Sequence, residues 1–240
     1  MTESIRASLD SVAETIHEVV ADVKPKLRGW LHLGTAPLTL AAGIVLIVLS
    51  PDGITRVGSA MFVGSALLLF TVSAIYHTGN WSPRTWAFLR RWDHSNIFLL
   101  IAGSYTPFAL ILLEGGQRTL LLTTIWGCAI LGVLFRVFWI DAPRWLYVPL
   151  YVSMGWAAVF FLPGFAHGAA DRLGSGMGLA VLLLVGVGGA LYTLGGVVYG
   201  FKRPNPSPQF FGFHEVFHSF TILAFVSHYV GVSLATYSLR

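Results

Sequence analysis

Charge is what this chain has least of: Asp, Glu, Lys and Arg make up 11% of its 240 residues, against about a quarter in soluble globular domains. A water-soluble globule is therefore excluded, and 55% hydrophobic residues with a mean hydropathy of +0.71 place the chain in lipid. Cysteine occurs once, at Cys128, which rules out an internal disulfide, a Cys-based metal site and a redox pair. Its position within an apolar run makes it an expected small core residue. Basic residues are not grouped into a phosphate-binding stripe. Despite a net charge of +4 they are scattered between apolar blocks, so nucleic acid is not an expected partner. The first 28 residues are charged and lack an apolar h-region, so no cleavable signal peptide is expected. Gly186, Gly188, Gly189, Gly195 and Gly196 follow no strand and lack GxGxxG spacing, which removes a dinucleotide fingerprint and leaves close helix contact as their use. A carboxylate relay for protons is missing from the outer halves of the apolar runs.

What is present is a series of apolar stretches, each near the roughly 20 residues that cross a bilayer as a helix. They fall at residues 30–49, 57–77, 95–113, 119–138, 145–165, 176–200 and 213–237, with Gly, Pro, Asn and Asp at the breaks. An open sheet is not viable in lipid, because backbone groups there must be satisfied internally. The fold expected is all-α, a polytopic seven-transmembrane helix bundle. Ahead of it, residues 2–23 set Ile5, Leu9, Val12, Ile16, Val19 and Val23 at helical spacing against an acidic face, which predicts an amphipathic surface helix. The organisation is then residues 1–28, that helix with a basic linker, and residues 29–240, the membrane domain. With the N-terminus cytoplasmic, Arg56, Arg118, Arg172 and Arg240 fall outside and the other eleven of the 15 Lys and Arg fall inside. That bias predicts a cytoplasmic N-terminus and an external C-terminus.

The stretch with most chemistry is His214-Glu215-Val216-Phe217-His218, at the head of the last apolar run. Histidines four apart share one helix face, about 6 Å apart along the axis, so both imidazoles can reach one divalent ion. Ionisable rings inside a span are costly and mark function. His77 ends the second run and Asp93-His94 open the third, so all of these lie at the same predicted depth, toward the cytoplasm. Three imidazoles with one open position suit zinc of the catalytic type, with Ser73 one turn before His77 on the same face. The five residues also match HExxH, in which the Glu is a protease's general base. The other reading of Glu215 is a cap on the first turn of its helix. A zinc that only staples three spans together fits the same residues.

The other polar residues have plainer expectations. His228 lies about 15 Å further along the helix than His218, too far to share the ion, and is expected to make an interhelical hydrogen bond. His94 points away from Asp93 and is expected to support it or make a simple polar contact. His17 and His32 are expected at the surface or interface, and His167 in an external loop. Arg90, Arg91, Arg136 and Trp139 are expected in an interfacial belt with Trp81, Trp86, Trp92 and Trp145.

Ser73-xxx-His77, then Trp92-Asp93-His94-Ser95-Asn96-Ile97 running into Ala102-Gly103-Ser104-Tyr105-Thr106-Pro107, then His214-xxx-His218 and Phe225-Val226-Ser227-His228-Tyr229, together resemble the hemolysin III proteins. These are the bacterial branch of the progestin and adiponectin receptor superfamily, and the resemblance runs from about Leu31 to the C-terminus. It implies seven helices with zinc (Zn2+) near the cytoplasmic face, held by His77, His214 and His218, with Asp93 reaching the metal through a water. It also implies a multi-pass protein of the bacterial inner (plasma) membrane. The superfamily is similar to the alkaline ceramidases, which implies a zinc-dependent lipid amide or ester hydrolase. In that reading Asp93 orients or deprotonates the attacking water, Ser73 supports the oxyanion, and membrane lipid is the partner. The receptors in the superfamily imply an alternative, a sensor of lipid or membrane state in which zinc is structural and the N-terminal helix reports to a cytoplasmic protein. The hemolysin label implies pore-forming lysis, for which these residues offer no physical route.

Overall fold

Apolar runs deprived of water must close their backbone hydrogen bonds on themselves. The computed structural model describes residues 25–51 and 53–240, and among the described residues these runs are all helical, with no strand. The spans are α1 (Trp30–Leu49), α2 (Gly53–Thr78), α3 (Pro83–Leu112), α4 (Gly115–Phe138), a fifth in two pieces, α5 (Arg144–Gly155) and α6 (Leu162–Leu173), then α7 (Ser175–Phe201) and α8 (Phe213–Tyr237). Seven are long and apolar enough to cross a membrane, which agrees with the expected seven-helix bundle. The amphipathic helix expected at residues 2–23 lies outside the described residues.

The spans are not equivalent. Of the most apolar window in each, 78% is buried in α3, 56% in α2 and 50% in α8, against 17% in the fifth span and 22% in α1 and α7. The helices that carry Ser73, His77, Asp93, His214 and His218 are thus the central ones, and the rest form a wall. α4 belongs to that wall and shows one buried stripe, Leu121, Ile125, Ala129, Gly132 and Arg136, at helical spacing. Cys128 stands beside this stripe and is exposed on the outer face, so it is not the core residue expected. Arg136 lies in the stripe, only 1% exposed, with its guanidinium 4.3 Å from the centre of the Tyr147 ring. It is therefore not part of an interfacial belt. A cation over an aromatic face recovers some of the solvation lost on burial.

The two boundaries that differ most from the sequence reading do so for local reasons. α3 begins at Pro83 rather than residue 95, because Ser82 caps it: the Ser82 hydroxyl accepts from the Thr85 amide at 3.3 Å, and Pro83 needs no amide partner at the first helical position. The fifth span runs on to Leu173 rather than ending at 165, and it tightens into a 3-10 segment, Trp156–Phe161. The Tyr105 hydroxyl pins that segment, donating to the Gly155 carbonyl at 2.5 Å and accepting from the Ala158 amide at 2.9 Å. His167 consequently lies on the exposed side of α6, in a helix and not in a loop.

Candidate metal centre

One end of the bundle is assembled by the chain just before α1. Lys26 and Leu27 donate their amides to the carbonyls of Gln209 and Phe210 at 2.9 and 3.2 Å, which lays this segment on the loop before α8. Gly29 then turns with φ +87, a conformation that glycine adopts without strain. A Cβ there would approach the His77 Cβ to 2.7 Å, so glycine is needed for contact as well as for the turn. The turn starts α1 with His32 facing inward. Across from it, the head of α8 is fixed by side chains: Asn205 Oδ1 accepts from the Phe213 amide at 3.0 Å, and Glu215 Oε2 accepts from the Gly212 amide at 2.7 Å. Glu215 is fully buried, and its other oxygen takes the Arg28 Nε at 2.6 Å. Its role is the cap expected from sequence, and with both oxygens engaged it is not free to act as a protease's base.

His77, His214 and His218 come together, all three buried, each with a ligand atom within 4.8 Å of those of the other two. Their rings are steeply inclined: 75° between His77 and His214, 60° between His77 and His218, and 64° between His214 and His218. An imidazole lone pair lies in the ring plane, so rings tilted in this way can aim at one point. His214 Nε2 and His218 Nδ1 have no hydrogen-bond partner among the described residues, which is the state expected of nitrogens reserved for an ion. Zinc–nitrogen bonds of about 2.0–2.1 Å put tetrahedral ligands about 3.4 Å apart. The observed separations, all within 4.8 Å, exceed that by at most about 1.4 Å. The donor set fits a metal ion.

The remaining candidates surround this triad. Asp93 Oδ2 is 3.7 Å from His77 Nε2, and Ser73 and Asp93 line the same cavity. His94 does not join the triad: its Nδ1 lies 2.8 Å from the Arg90 carbonyl and 3.8 Å from Asp93 Oδ2, a polar contact with its own helix. Arg90 pairs with Asp141 at 2.9 Å, and Arg91 donates to the carbonyls of Ala87 and Val137, so neither partners Asp93. His228 lies far down α8, with Nε2 3.2 Å from the Val185 carbonyl, the interhelical bond expected of it. His32 departs from expectation. It is 2% exposed and stacks on His218, with centroids 3.8 Å apart and planes 13° from parallel. Position near the start of a span gave no sign of this, because burial there depends on the turn at Gly29.

Below the triad lies a cavity of about 460 Å³, within the roughly 300–1,000 Å³ of small-molecule sites. His32, Ser73, Asp93, His94, His214 and His218 line one end, and the walls run to Phe108, Tyr192 and His228 with mainly apolar side chains between. His218 to His228 is about 15 Å along the helix, so the space is elongated, with most of its polar side chains beside the triad, and suited to a chain with a head group.

The sequence profile of the family described as Haemolysin-III related matches residues 21–229. The chain is 32% identical over 166 residues to the Hemolysin-3 homolog of Bacillus subtilis (strain 168), covering 69% of this chain and 71% of that protein. It is 32% identical over 171 residues to Hemolysin-3 of Bacillus cereus, covering 70% of this chain and 74% of that one. With seven spans and a profile match over most of its length, this chain is a multi-pass membrane protein that belongs to the haemolysin III family.

Proposed function

We propose that this chain is a zinc-dependent hydrolase of the bacterial plasma membrane that cleaves an amide or ester bond in a lipid, with the site toward the cytoplasmic face. The observation that carries the reading is the junction of two unlike features, a convergent imidazole triad and an elongated apolar cavity that ends on it. His77, His214 and His218 hold the ion. Zinc so held polarises a carbonyl and makes water a nucleophile near neutral pH. Asp93, beside His77, orients the attacking water and accepts its proton at Oδ2. The Ser73 hydroxyl, which lines the same cavity, donates its one hydrogen bond to the charge that develops on the substrate oxygen. The apolar walls bind the acyl chain and exclude bulk water.

A second reading has its own observation. The Arg28–Glu215 pair joins the segment leading from the N-terminus to the helix that carries two of the triad histidines. In a lipid sensor with structural zinc, this link carries a change at the site to a cytoplasmic partner. One experiment separates the two. Purified protein is incubated with a panel of N-acyl and O-acyl lipids, with and without chelator, and its zinc is measured beside that of His214→Ala. Zinc-dependent release of fatty acid is the expected result. Binding without release turns the reading to a sensor, and stoichiometric zinc in His214→Ala removes the site altogether.

A further inference from the structure

His32 is the fourth imidazole at this end of the bundle and has no role in the chemistry above. Its ring lies between the face of His218 and Phe70, whose centroid is 5.0 Å away at 65°. Neither Nδ1 nor Nε2 finds a hydrogen-bond partner among the described residues, although the side chain is 2% exposed. Buried polar atoms are nearly always paired with protein, water, an ion or a ligand, so something other than the described residues answers these two nitrogens.

The triad's ion is not that partner. A ligand ring must contain the ion in its own plane, and the planes of His32 and His218, 13° from parallel with centroids 3.8 Å apart, meet only far from either ring. His218 therefore ligates with the inclined rings of His77 and His214, while His32 backs it without sharing its ion. What His32 does face is the cavity, at the end beside the triad. His228, at the other end, has the Val185 carbonyl at Nε2 and leaves only Nδ1 without a partner among the described residues, against both nitrogens of His32.

We infer that His32 is the head-group anchor of the cavity, hydrogen-bonding the polar end of a single-chain acyl lipid whose tail runs along α8 toward His228. This rests on the proposed function only in placing a lipid in the cavity. A neutral imidazole offers one N–H donor and one acceptor nitrogen. It therefore favours a head that carries both an acceptor and a donor, as a primary amide does, over one that carries acceptors alone, as a methyl ester does.

The test compares oleamide with methyl oleate, which share one chain, for binding to zinc-loaded full-length protein in detergent. Wild type is expected to bind oleamide more tightly. His32→Phe, which keeps the stacked shape, is expected to weaken oleamide about tenfold, the scale of one hydrogen bond. It should leave methyl oleate within about twofold and zinc per chain unchanged. His32→Gln, which restores a donor and an acceptor, is expected to recover part of the oleamide affinity and serves alone if the Phe variant does not fold. Loss of zinc from either folded variant would make His32 a ligand and overturn the inference, as would oleamide affinity unchanged in a folded, zinc-loaded His32→Phe. The readout is binding without turnover, so protein that binds oleamide through His32 yet releases no fatty acid from any lipid refutes the hydrolase and leaves His32 in its place.

Discussion

α8 buries imidazoles at two heights and treats them in opposite ways. Near its C-terminal half, His228 faces α7, where Val185 offers a carbonyl at 3.2 Å and Ser227 donates to the Leu184 carbonyl at 2.8 Å. Phe108 and Tyr192 present their rings at 77° and 61°, and Gly188 supplies room. At its head, His214 and His218 meet other imidazoles instead of a carbonyl. One nitrogen on each of the three rings lacks a hydrogen-bond partner among the described residues, so that feature does not separate the two heights. Burial is thus common to both heights and decides nothing. The neighbour decides: a backbone carbonyl makes a buried histidine into interhelical glue, while inclined imidazoles make it part of a metal centre.

The largest effect comes from breaking one half of this comparison and not the other. Changing a residue that merely supports a metal ligand already costs about 10–100-fold in affinity. Loss of a ligand costs more, so His214→Ala or His218→Ala should take zinc from about one per chain to background. His228→Ala should leave it unchanged. Elemental analysis of the three purified proteins checks this, and zinc lost equally from all three would erase the distinction.

Next in size is the strap that sets the metal end. Glu215 is fully buried and held by Arg28, whose side chain is 20% exposed. Arg28→Ala leaves a buried carboxylate half satisfied, which costs roughly 3 kcal/mol, the lower end of what breaking a buried pair costs. Because Glu215 follows His214 directly, zinc retention against chelator should fall together with melting temperature. Glu215→Gln keeps an acceptor for the Gly212 amide and should cost less. A melting temperature unchanged by Arg28→Ala would mean that the strap does not hold the site.

The glue half is broken at Gly188. A Cβ there would overlap the His228 ring at Cδ2 and Nε2 where α7 meets α8. Gly188→Val should destabilise by about 1–3 kcal/mol, as overpacking does, with zinc content intact. Zinc lost in step with stability would show that the two heights open together.

Much of this was legible in the chain because polar residues are costly in lipid. His77, Asp93, His214 and His218 stand out against apolar surroundings, and helical spacing puts His214 and His218 on one face. The seven spans are legible for the same reason. What was hidden depends on contacts between distant segments. His32 is buried by a glycine turn and a loop some 180 residues further on. Arg136 is drawn inward by the Tyr147 ring, and Cys128 is turned outward by the same stripe. The break in the fifth span needs one hydroxyl from α3. Hydropathy averages over a window, and each of these features is set by a single partner outside it.

The finest test of the comparison is Ser227→Ala. It removes one donor from the seam with α7 while leaving His228 and its carbonyl in place. Side-chain hydrogen bonds between helices in membranes average about 0.6 kcal/mol, which for a chain of this size is a shift of about 2 °C. Zinc content and the affinity of the head for its ion should not move, because no hydrogen bond of Ser227 reaches the triad. A shift near this size, with zinc constant, would make the lower half of α8 ordinary bundle packing. A fall in zinc would mean instead that packing ten residues away sets the register of the ligands, and the two heights would then have to be treated as one site.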